Sequence, residues 1–108
     1  MAKRTARRHP SPDDKPSWNA ETGVLTFRGL IVKQFTQEAR LQRLILASFE
    51  ELGWPARIDD PLPGNPARQQ ERLHNAIKRL NLCQVHHLIH FRRDGTGEGI
   101  IWEPAGTE

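Results

Sequence analysis

Arg68, Arg72, Asn75 and Arg79 stand four, three and four residues apart. If residues 66–81 (PARQQERLHNAIKRLN) form a helix, a rotation of about 100° per residue gathers these four side chains into one narrow arc, with Lys78 on its flank. Such a row suits phosphates and the base edges of a major groove. A guanidinium is planar, permanently charged and presents paired donors, and a carboxamide offers a donor and an acceptor side by side. A charged face that meets only water has the same composition. What the row can do therefore depends on what the chain builds around it.

Other groups with chemical potential give weaker patterns. His74, His86, His87 and His90 could ligate a metal, but on a strand His86 and His90 would lie about 13 Å apart, and Cys83 is the one cysteine. No metal site follows from that set, and strand-edge histidines account for it. The adjacent Asp59 and Asp60 sit in a proline-rich stretch, where Asx turns or a salt bridge to Arg57 explain them. No nucleophile with a base and an orienting group is recognisable, so the sequence gives no enzyme, cofactor or small-molecule substrate. The run Gly95-Thr96-Gly97-Glu98-Gly99 lacks the Lys-Ser/Thr of a phosphate-binding loop and precedes a strand, which makes it a turn. Trp18, Trp54 and Trp102 are scattered as core residues are, rather than repeated as stacking platforms for single strands.

The charge is segregated. The chain has 108 residues and a net charge of +3. Lys3, Arg4, Arg7, Arg8 and Lys15 outweigh Asp13 and Asp14 by that whole amount, so residues 17–108 balance to zero. Within them, Arg68, Arg72, Lys78, Arg79, Arg92 and Arg93 face only Glu71 across residues 66–93, and residues 94–108 carry acids alone. Clustered rather than scattered basic charge marks a polyanion partner. No segment has the ~20 apolar residues that span a membrane, and no apolar run follows the N-terminal charges as in a secretory signal. A cytoplasmic protein with no membrane association is the reading.

Three prolines and no apolar periodicity make residues 1–16 a disordered basic tail, able to act as an arm on a polyanion or simply to solubilise. Residues 17–104 form one domain, and residues 105–108 an exposed end. Trp18 opens the domain. Val24–Arg28 alternates, with Leu25 and Phe27 on one face. Gly29 separates it from Leu30–Phe35, the signature of a hairpin or bulged strand pair. Glu21-Thr22-Gly23 can close an earlier hairpin with Trp18. Thr36 is placed to cap a helix over about residues 37–52, with Glu38 in its first turn. Leu41, Leu44, Ile45, Ser48, Phe49 and Leu52 form its apolar stripe, Gly53 stops it, and Arg40 and Arg43 lie on its solvent side. Residues 54–65 cannot be one helix because Pro61 and Pro63 break it, although a helical turn fits at 58–61. Asn65 and Pro66 supply an N-cap and first position for the helix at 66–81, whose buried stripe is Leu73, Ala76, Ile77 and Leu80 and which ends near Asn81. Val85–Arg92 and Glu98–Glu103 read as strands of a second hairpin around Asp94-Gly95-Thr96-Gly97. The fold class is α+β.

In that order, Leu25-Thr26-Phe27-Arg28-Gly29-Leu30, the segment Leu73-His74-Asn75-Ala76-Ile77-Lys78-Arg79-Leu80-Asn81 and the turn Ile89-His90-Phe91-Arg92-Arg93-Asp94-Gly95-Thr96-Gly97 resemble the winged helix-turn-helix domain. The closest likeness is to the DNA-binding effector domain of OmpR/PhoB-type response regulators. That family has an N-terminal sheet with an L-x-F-x-G-like strand, a long scaffold helix, a recognition helix of pattern V-x-x-x-I-x-x-L-R and a hairpin wing with a G-x-G turn. The likeness covers residues 23–103, with the proline-rich 54–65 where the family has a second helix. The chain also looks like a group of small uncharacterised bacterial proteins. The resemblance implies a winged helix-like fold: an N-terminal β-hairpin, two main helices and a C-terminal hairpin wing. It implies a bacterial transcriptional regulator that binds double-stranded DNA. Arg68, Arg72, Asn75 and Arg79 would face the major groove, Lys78 a phosphate, and Arg92 and Arg93, on the wing, the backbone or minor groove. A protein-interaction module of the same shape, or a binder of structured RNA, fits the near-neutral domain as an alternative, as does a protein partner or homodimer.

Overall fold

Leu25 and Phe27 do fall on one buried face, and Trp18 joins them there. The computed structural model describes residues 15–36, 39–62, 68–96 and 98–105. Strands β1 (Ser17–Asn19), β2 (Val24–Phe27) and β3 (Leu30–Gln34) form an antiparallel sheet in the order β1-β2-β3, so the hairpin expected around Gly29 is part of a three-stranded sheet. Asn19 makes the first turn, its Oδ1 accepting from the N–H groups of Glu21 and Thr22. Arg28 and Gly29 make the second, both at positive φ, which matches the twist of the strands they join. A register shift between Leu25 and Thr26 leaves Val32 as an extra residue in β3. Successive side chains of a regular strand alternate in burial, but here Val32 and Lys33 both point inward.

The first helix, α1 (Arg40–Glu51), begins three residues later than the sequence pattern places it. Thr36 does not cap it; Ala39 is the N-cap, and no side-chain bond reaches the first turn. Glu38 lies outside the described residues. Ile45, Leu46 and Phe49 are its buried residues. Leu52 is 62% exposed, because the chain has already turned off the helix axis there. Gly53, at φ +81°, makes that turn. Trp54 N–H reaches Phe49 O at 2.8 Å and Gly53 N–H reaches Glu50 O at 3.1 Å, the paired bonds of a Schellman end.

The stretch expected to hold a helical turn at 58–61 is instead strand β4 (Arg57–Asp59). It pairs with β6 (Gly99–Pro104), which pairs in turn with β5 (Ile89–Arg93), giving a second antiparallel sheet ordered β4-β6-β5. Ile58 and Ile100 face each other across that pairing, and both are buried. Burial of Ile58 is what an exposed helical turn could not supply. The order of elements is therefore sheet, helix, strand, helix, hairpin, rather than hairpin, two helices and hairpin. Asp59 and Asp60 behave as their setting implies: Asp59 pairs with Arg57 at 2.9 Å, and Asp60 Oδ1 accepts from Leu62 N–H.

The second helix, α2 (Gln69–Asn81), has Arg68 as its N-cap; the Asn65-Pro66 start lies outside the described residues. Leu73, Ala76, Ile77 and Leu80 are all buried as their spacing requires. Three side chains fix its far end. Lys33 donates to Arg79 O at 3.1 Å and Leu82 O at 2.6 Å, neutralising carbonyls the helix cannot satisfy itself. Gln84 bridges Leu80 O and Ile89 O. Asn81 donates to Phe91 O and accepts from Phe91 N–H, both at 2.9 Å, so it imitates a neighbouring strand at the open edge of β5. Strand β5 starts at Ile89, not Val85. The preceding residues cross to the first sheet, where Val85 N–H donates to Val32 O and His86 Nδ1 meets Ile31 O.

One core joins all these elements. Phe49 stacks on Trp54 with ring centroids 4.9 Å apart and packs against Phe91 at 6.0 Å. Trp102 sets its edge to both Phe27 and Trp54. Trp18 and Trp54 are buried and Trp102 is partly so, which places the three indoles in the core or its rim. The chain thus has a mixed α+β fold with two helices and two small antiparallel sheets among the described residues. No described helix is long and apolar enough to cross a membrane. The N-terminal tail reading concerns residues that are described only from Lys15 onward.

Candidate nucleic-acid interface

Because Leu73, Ala76, Ile77 and Leu80 fasten one side of α2 to the core, Arg72, Asn75 and Arg79 must turn away from it. Asn75 and Arg79 are exposed and Arg72 is half-buried. With the end of β3 and the first turn of α1 they enclose an open groove of about 590 Å³. Lys33, Phe35, Arg40, Gln42 and Leu82 line it as well. Arg68 and Lys78 are exposed but lie outside the groove, so the expected row divides.

The electrostatics of the groove are one-sided. Among the described residues it is lined by four cationic side chains and no carboxylate. Arg40, Arg72 and Arg79 have no ion-pair partner among the described residues, where the ion pairs involve Arg57, His90 and Arg92. The N-terminus of α1 opens on the same space, without a capping side chain and with no acid in its first turn. Its free amide groups and the positive end of its dipole add to the same sign. Burial pushes the Lys33 amine below its ordinary pKa, with Cys83 nearby acting the other way.

Sequence reasoning missed Lys33 and Arg40. Lys33 belongs to the groove because of the bulge in β3, which no composition signal locates. Arg40 is exposed, as its place on the polar side of α1 leads one to expect, and it also lines the groove because α1 begins late. Arg43, expected beside it in solvent, instead lays its guanidinium over the rings of Phe35 at 5.5 Å and Trp18 at 5.9 Å.

The hairpin residues are placed differently. Arg92 and Arg93 lie on β5 ahead of the turn, exposed and apart from the groove. Arg92 approaches Glu103 at 3.4 Å, and His90 Nδ1 is 3.2 Å from the same carboxylate. The contact with His90, then the charge of Arg92, hold Glu103 below the usual carboxylate range. Arg93 has no ion-pair partner among the described residues. The turn itself is built on Asp94, whose Oδ1 accepts from Thr96 N–H and Oγ1 and whose Oδ2 accepts from Arg57 at 2.6 Å. Those two bonds from Thr96, and then Arg57, hold the Asp94 carboxyl well below the ordinary range. A carboxyl with a lowered folded-state pKa contributes stability that is present above its unfolded value, about 3.9, and is lost as pH falls. Asp94→Asn should therefore reduce the acid-induced drop in stability. Urea midpoints at pH 7 and pH 3 test this, and parallel losses for both proteins would remove Asp94 from the account.

Of the histidines, His86 and His90 have the partners named above, and His74 and His87 are exposed. No group of three or more metal-ligating side chains gathers among the described residues. No family model, curated protein or solved structure matches the chain in comparisons with known proteins.

Proposed function

We propose that this chain is a small DNA-binding protein of winged-helix type, sequence-reading or architectural, acting in bacterial transcription or its regulation. The observation that carries the reading is the unpaired Arg72, Asn75 and Arg79 row on α2, in a groove with no described carboxylate. Part of the order of elements agrees with it: an N-terminal sheet, a first helix, a later helix bearing the row, and a hairpin with Arg92 and Arg93 after it, with strand β4 standing between the two helices. Arg68 and Lys78 extend the basic face beyond the groove, and Arg93 is the hairpin arginine free to reach a backbone. The locating residues are Asn81 and Lys33, which hold α2 against both sheets.

The test is fluorescence polarisation with a generic duplex over a salt series. Three or more phosphate contacts predict that log K falls with log salt at a slope of about −2.7 or steeper. A chain that shows no binding at micromolar concentration and low salt would refute the reading.

A protein-interaction module is the second reading, and one observation favours it. Leu30, Ile31 and Val85 are large apolar residues left exposed, and Val85 is held beside β3 by its bond to Val32. They would remain to be explained if duplex binding were absent.

A further inference from the structure

We infer that the groove between β3, the first turn of α1 and α2 is a seat for a phosphate group carried on a larger organic molecule, with Arg40, Arg72 and Arg79 as its ligands. This goes beyond the duplex reading, because it assigns Arg40 and the start of α1 and holds whether the phosphate belongs to a nucleic-acid backbone or to a free phosphorylated compound. Three observations converge. The first is charge: Arg40 and Arg72 come from different helices and line one groove, and no carboxylate among the described residues lines it with them. An anion in the groove would meet cations from both helices.

The second is donor geometry. A guanidinium binds phosphate through paired N–H groups. Asn75 adds a carboxamide, and the first turn of α1, which has no side-chain cap bond, lines the same space. The third is shape. Arg72, Asn75 and Arg79 form one wall of an open groove, with Lys33 and Arg40 also on its lining. A concavity of about 590 Å³ far exceeds one phosphate group, and Phe35 and Leu82 offer apolar surface for what the phosphate is attached to.

The experiment is an amide-resolved NMR titration of the full chain with inorganic phosphate, with a 5′-mononucleotide and with a short duplex, against chloride at equal ionic strength. Phosphate and mononucleotide should shift the amides of Ala39, Arg40, Leu41 and Gln42 saturably, with the mononucleotide binding more tightly. Arg40→Gln, an exposed substitution, should weaken both by about tenfold, and Arg28→Gln on the far hairpin should leave them unchanged. If duplex competes for the same amides, the seat belongs to the nucleic-acid backbone. If the mononucleotide binds and duplex does not compete, the seat belongs to a free phosphorylated compound, and the proposed role of Arg72 and Arg79 in duplex binding fails while the inference stands. Shifts no larger than those in chloride, or equal loss in the Arg28 variant, would overturn the seat even if duplex binds elsewhere on the protein.

Discussion

Replacing Arg72 and Arg79 together by alanine is expected to weaken duplex binding by about 2–4 kcal/mol, roughly 30- to 1,000-fold. If both arginines meet phosphates, it is also expected to flatten the dependence of log K on log salt by about 1.8 units of slope. The fold should survive. Neither side chain belongs to the buried stripe of α2, and alanine is the best helix former. Lys33 binds the backbone carbonyl of Arg79, not its side chain, so the anchoring of the helix end is untouched. Polarisation titrations at two salt concentrations measure both quantities, and far-ultraviolet circular dichroism checks the fold. Unchanged affinity and slope would show that the row on α2 does not meet the duplex.

The hairpin arginines bear on how that loss is divided. Arg92 shares Glu103 with His90, so its charge is already partly answered within the protein. Exposed pairs of this kind are worth at most about 1 kcal/mol and can open for a phosphate, but the opening subtracts from what the contact contributes. Arg93 carries no such cost. The largest share of any electrostatic affinity therefore falls to α2, where the described residues supply cations and nothing to offset them.

What the sequence made legible were the features set by short-range chemistry. The spacing of Leu73, Ala76, Ile77 and Leu80 fixes the buried face of α2 and so, by exclusion, the direction of Arg72, Asn75 and Arg79. Gly53 and Gly29 mark turns because both need positive φ. Asp59, beside Arg57 in sequence, pairs with it. Hidden were the features decided by distant partners. Strand β4 is three residues long, and Ile58 has no local reason to be a strand residue until β6 pairs with it. Arg57 meets Asp94 across 37 positions of sequence. The inward turn of Lys33 depends on where a bulge falls, and Thr36 fails as a cap because the helix begins beyond it. The direction of Arg72, Asn75 and Arg79 is thus readable, but the groove they line, and the place of Arg40 in it, are not.

Phe49→Ala should be among the most damaging single changes to the fold, costing about 3–5 kcal/mol. Phe49 is fully buried, and its ring touches three separate parts of the chain. Its own helix holds it, Trp54 lies parallel to it at an interplanar angle of 9°, and Phe91 brings in the second sheet. Truncation removes the shared surface of all three and leaves a cavity that Trp54 cannot refill, because Trp54 N–H is bonded to Phe49 O and its indole Nε1 to Glu50. Domains of this size hold about 5–15 kcal/mol in all, so the variant should lose a large fraction of it. The melting temperature should fall by about 4–8 °C for each kcal/mol. Leu52→Ala is the matched comparison. The two residues share one apolar stripe in the sequence, but Leu52 is 62% exposed beyond the turn of the helix, and its truncation should stay within about 0.5 kcal/mol. Thermal unfolding of the two variants separates the stripe as written from the core as built: equal shifts would mean that Phe49 is not the point where helix, tryptophan and sheet meet.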